Sequence, residues 1–89
     1  MTTTDESLIE YPCNFPIKAM GRACDDIEGI FLAIVRRHFP EQESFDIEQK
    51  HSSGDKYLSV TITVHALNRQ QLDATYMDLS AHDKILMSL

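Results

Sequence analysis

Between Lys56 and Leu67 apolar and polar residues alternate without a break. Leu58, Val60, Ile62, Val64 and Ala66 fall on one side, and Tyr57, Ser59, Thr61, Thr63 and His65 on the other. Side chains along a strand point alternately to its two faces, so this pattern predicts a long strand with one dry face and one wet face. A second alternation covers Asn14 to Met20, with Phe15, Ile17 and Ala19 opposed to Lys18 and Met20. Pro16 has no N–H, which requires a ladder position that needs no donor there. Phe45 and Ile47 alternate with Asp46 and Glu48, a strand charged enough for a sheet edge. Lys84 to Leu89 gives a last strand, with Ile85, Met87 and Leu89 assigned to the core and Leu86 and Ser88 to the other face.

The period changes twice. Ile27, Ile30, Phe31, Ile34 and Val35 recur at i, i+3, i+4, i+7 and i+8, the stripe of an amphipathic helix. Asp25 to Glu28 predicts a capping box, with Asp25 as the cap and Glu28 reaching back. Arg36, Arg37 and His38 suit the negative end of the helix dipole, and Pro40 stops it. Leu72, Thr75, Tyr76 and Leu79 mark a second helix with a thinner stripe, capped from Asn68 and Gln71 and broken at His82-Asp83. Gly21 is read as a sharp turn leaving the first strand. His51 to Asp55 is a turn by composition and closes a hairpin.

The order is therefore β-α-β-β-α-β, an α+β ferredoxin-like arrangement. The handedness of crossovers puts both helices on one face of a four-stranded antiparallel sheet, in spatial order 4-1-3-2. Residues 1–10 lack either period and read as a flexible tail; residues 11–89 read as one domain.

Eighty-nine residues support one modest core rather than a deep catalytic cavity. A net charge of −6 opposes binding to phosphate backbones and anionic lipid. No apolar run approaches the roughly 20 residues of a membrane span, and the N-terminus lacks the basic and apolar blocks of a signal peptide. A cytoplasmic location is expected. Cys13 and Cys24 flank a strand that holds them about 20 Å apart, too far for a disulfide, which needs Cα atoms within about 7 Å. His38, His51, His65 and His82 show no metal-ligand spacing. No metal, no cofactor and no catalytic set is expected.

YPCNFPIKAMG, SSGDKYLSVTITV and the short apolar strand at the C-terminus occur in order and at intervals that resemble the YbeD-like family of small bacterial proteins. The resemblance runs from about Tyr11 to Leu89. It implies a ferredoxin-like fold similar to the ACT domains that bind amino acids in allosteric enzymes, and it carries over no catalytic residue.

Two surfaces are candidates. The sheet face away from the helices is expected to present Lys18, Met20, Tyr57, Ser59, Thr61, Thr63 and Leu86 to a protein partner or a second copy, with Met20 beside Leu86. The turn holding Gly21, Arg22 and Asp25 occupies the place where ACT-like domains hold a small ligand. Tyr57 is the one aromatic expected on the open face, too little for the base-stacking platform of an RNA-recognition fold. The reading is a regulatory or adaptor domain binding a protein partner or itself through the open sheet face or a sheet edge, with an amino-acid sensor as the alternative and an enzyme as a remote one.

Overall fold

The computed structural model describes residues 10–89, so the tail expected over residues 1–10 lies, except for Glu10, outside the described residues. The chain runs β1 (Cys13–Arg22), α1 (Ile27–His38), β2 (Asp46–His51), β3 (Tyr57–Ala66), α2 (Arg69–Ala81) and β4 (Met87–Ser88). All three strand pairings are antiparallel, in the order β2-β3-β1-β4. This is the predicted 4-1-3-2 order read from the other edge.

β1 and β3 pair along their whole length, from Cys13 opposite Ala66 to Arg22 opposite Tyr57. That register puts Ile17, Ala19, Val60, Ile62 and Val64 on one face, all fully buried. α1 adds Ile27, Phe31, Ile34 and Val35 to the same core, and α2 adds Leu72 and Leu79. Each such aliphatic side chain contributes about 1.5–3 kcal/mol by leaving water. Ala66, on the dry face of β3 as its alternation predicts, and Phe39, outside both predicted stripes, also belong to the core. Among the described residues Thr75 is the buried polar one; its hydroxyl donates to the Gln71 carbonyl at 2.7 Å and so costs little.

Four sequence expectations need correction. β1 continues through Gly21 and Arg22 instead of turning at Gly21. Gly21 is required for space: a Cβ there would lie 2.2 Å from Ile27 Cδ1 and 2.5 Å from the Lys84 carbonyl. Asp26, not Asp25, caps α1, accepting from the Gly29 N–H at 3.1 Å, and Glu28 meets the Gln49 amide instead of reaching back. β2 starts at Asp46 and runs on to His51, beyond the predicted strand. The turn after it contains Gly54 at φ +83°, a conformation that favours glycine.

The fourth correction concerns the last strand. Ile85 is buried as expected, but Met87 and Leu89 are 53% and 67% exposed. Met87 is the register partner of Met20, yet the Leu86 N–H also donates to the Met20 carbonyl at 2.8 Å. Two residues thus face one, the arrangement of a β-bulge, and alternation beyond it is shifted by one position. Leu89 and Lys18 exchange two backbone hydrogen bonds, which places Leu89 beside Lys18 on the open face.

Candidate functional site

The open face is a grid fixed by the register. One row across the sheet reads Leu89, Lys18, Thr61, Glu48, and the next reads Met87, Met20, Ser59, Lys50. The face therefore grades from apolar at the β1–β4 corner, through hydroxyls on β3, to charges on β2. Tyr57 is exposed at the end of β3 opposite Arg22, and Thr63 lies between Pro16 and Asp46. Leu86 is 55% exposed and lies beside Met20 as expected, its N–H donating to the Met20 carbonyl at 2.8 Å, but Met87 shares that place opposite Met20 as its register partner. Leu86 lines a shallow edge depression with Arg22, Cys24, Asp25, Asp83 and Lys84.

That depression is where the predicted ligand turn lies. Arg22 is exposed at the end of β1, and Gly21 is buried under α1. Asp25 pairs with Lys84, Nζ to Oδ1 3.4 Å. At the start of α1 the Gly29 N–H donates to the Asp26 cap and the Ile27 N–H to the Asp25 carbonyl. Cys13 and Cys24 are free thiols, as their separation requires. Among the described residues no three His, Cys, Asp or Glu side chains gather as metal ligands. No helix among them is long and apolar enough to cross a membrane.

A third surface, at a sheet edge, involves none of the expected site residues. β2 pairs with β3 from Leu58 only as far as Thr63, so Val64 to Ala66 have β1 on one side and no described strand on the other. The odd-numbered residues of β3 direct their backbone groups to this open edge. Side-chain amides occupy it. Gln42 Oε1 accepts from the His65 N–H at 2.8 Å, and Gln42 Nε2 donates to the Ser44 carbonyl at 3.0 Å and to the Thr63 carbonyl at 3.4 Å. Gln71 Oε1 accepts from the Leu67 N–H at 2.7 Å, while its Nε2 donates to the His38 carbonyl at 3.1 Å. Between the two glutamines lies a groove of about 420 Å³, lined by Phe39, Pro40, Glu41, Gln42, His65, Leu67 and Gln71. Its signal in the sequence is a mismatch of lengths: a ten-residue strand in a hairpin with a shorter one must overhang it.

Below the groove the end of α1 is tied to α2. Asp78 Oδ2 meets His38 Nε2 at 2.6 Å and Arg37 Nη1 at 3.1 Å. The His38 hydrogen bond first, and then the charges of His38 and Arg37, hold the Asp78 carboxyl below the usual aspartate range, against some desolvation.

Similarity to known proteins follows the whole of this architecture. Residues 6–89 match the family described as "Protein of unknown function (DUF493)". The UPF0250 protein RSc0326 of Ralstonia nicotianae is 43% identical over 88 residues, 99% of this chain and 91% of that protein. The UPF0250 protein NE1487 of Nitrosomonas europaea is 42% identical over 86 residues, 97% and 99% of the two chains. The solution structure of protein HP0495 from H. pylori superposes with a TM-score of 0.75 at 20% identity, covering 91% of this chain and 85% of the other, a likeness of fold. On the match along nearly its full length, the chain belongs to the DUF493, or UPF0250, family of small bacterial proteins, the YbeD-like group.

Proposed function

We propose that this domain is a non-enzymatic regulatory or adaptor module of the bacterial cytosol that binds a protein partner, or a second copy of itself, through its open sheet face. The observation that carries the reading is the apolar corner formed by Met20, Met87 and Leu89. The last two are more than half exposed, on the side of the sheet opposite the buried core of β1 and β3. Lys18, Glu48 and Lys50 frame the corner with charges of both signs, and Ser59 and Thr61 separate them with hydroxyls. An apolar centre with a polar rim is the usual anatomy of a protein interface.

Light scattering over a range of concentrations, together with affinity capture, tests this on the wild type, Met20→Asp and Met87→Asp. Self-association or a captured partner should be lost in both variants at unchanged melting temperature. Retention of both interactions would refute the open face as the binding surface. The amino-acid sensor reading has less support, since Lys84 and Asp25 already pair and Asp26 caps the helix amides. A thermal-shift screen with free amino acids separates the two, because a ligand at 100 times its Kd adds about 2.7 kcal/mol.

A further inference from the structure

The groove at the end of β3 has a chemistry of its own, independent of the open face. We propose that it receives an extended peptide segment of another protein, one that alternates apolar and basic residues, by strand addition to the free edge of β3. The carboxamides of Gln42 and Gln71 hold the place that the segment's backbone would take.

The first support is the identity of the plugs. A strand edge must satisfy its outward N–H and C=O groups or invite another strand. Here a side-chain amide accepts from the His65 N–H, and a second accepts from the Leu67 N–H. A carboxamide is the side-chain equivalent of a peptide bond. Both donors sit two residues apart on one edge, the spacing at which an added strand makes successive bonds. Gln42 also reaches the Thr63 carbonyl, at the long distance of 3.4 Å, so one side chain serves a donor and an acceptor of the ladder incompletely. A peptide backbone would satisfy both, and Gln42, on the loop after α1, can swing out without disturbing a core residue.

The second support is what lies beside the edge. Leu67 is 48% exposed, and Pro40 is exposed next to it, so one side of the groove is apolar and open. That suits an apolar side chain of the added strand. Glu41 and Glu43, both exposed on the facing loop, supply negative charge. Arg69, two residues after Leu67, is engaged with Asp73 at 3.7 Å, and Arg37, two residues before Phe39, with Asp78 at 3.1 Å. A basic residue on the incoming segment complements this rim. A second copy of a chain with net charge −6 does not, which favours a foreign segment over self-pairing at this site.

The experiment uses the full chain and a phage-displayed library of random dodecapeptides. Enriched peptides are synthesised, and their footprints are mapped by nitrogen-15 NMR. The expected result is enrichment of alternating apolar and basic sequences whose footprint covers the His65 and Leu67 amides and the Gln42 and Gln71 side-chain amides. Gln42→Ala removes the internal competitor and should tighten binding by about two- to tenfold, the equivalent of one net hydrogen bond. Glu41→Lys should weaken it by about two- to fivefold. A role for Gln42 in folding alone predicts no gain in affinity. No enrichment, enriched peptides that footprint on Met20 and Met87, or weaker binding by Gln42→Ala would each overturn the proposal. So would self-association of the chain through the groove. Met87→Asp should leave peptide binding unchanged, so failure at the groove and failure at the open face are read separately.

Discussion

α1 and α2 cover the same face of the sheet and are of almost equal length, yet they are held there by different forces. α1 buries Ile27, Phe31, Ile34 and Val35, a continuous apolar stripe. α2 buries Leu72 and Leu79 with Thr75 between them, and completes its attachment through polar bridges: Gln71 to the His38 carbonyl, and Asp78 to His38 and Arg37. The difference shows where the molecule can adjust. Apolar packing against β1 fixes α1, and dense interiors resist change. Partly exposed hydrogen bonds and ion pairs that join α2 to the end of α1 are individually weak. The groove lies at that second, looser junction.

Removing the centre of the stronger attachment should have the largest effect. Phe31 is fully buried beneath the sheet, and Phe31→Ala should cost about 3–5 kcal/mol in urea unfolding. A loss below about 1 kcal/mol would mean that α1 is not the anchored helix and would break the comparison.

Gly21→Ala probes the same attachment by adding rather than removing atoms. The new Cβ would meet Ile27 Cδ1 and the Lys84 carbonyl at once, and the backbone oxygen cannot rotate aside. Overpacking of this kind costs about 1–3 kcal/mol. A melting temperature equal to the wild type would show that α1 shifts on β1 more freely than its packing implies.

These contacts also mark the limit of what the sequence revealed. Strict alternation in β3 and the i, i+3, i+4 stripe of α1 are long enough to be read against chance, and the strand order followed from them. The last strand was misassigned because one extra residue, at Leu86 and Met87 opposite Met20, reverses every inward and outward assignment after it. Nothing in KILMSL marks that position, since a bulge is set by where the ladder begins. The cap at Asp26 instead of Asp25 is a shift of one residue between two identical side chains. The open face was legible except for its apolar corner, where Met87 and Leu89 stand and Leu86 was expected. The groove was not found, because its elements are 20 or more residues apart in the chain and its polar groups are glutamines, which carry no periodic signal.

The smallest effect should come from the polar bridge of α2, and its pH dependence gives it away. The folded Asp78 carboxyl titrates below its ordinary range because His38 hydrogen-bonds to it and Arg37 adds charge. A carboxyl with a depressed folded pKa stabilises the fold above its unfolded value, about 3.9, and that contribution disappears as pH falls through the folded value. Urea unfolding of the wild type and Asp78→Asn should therefore differ slightly at pH 6, with the wild type more stable, and converge as the pH is lowered below 4. Both partners are partly exposed, so added salt should also shrink the gap at pH 6. A difference that persists unchanged at pH 3 would mean that the carboxylate charge is not what ties α2 to α1, and that the two helices are held by packing alike.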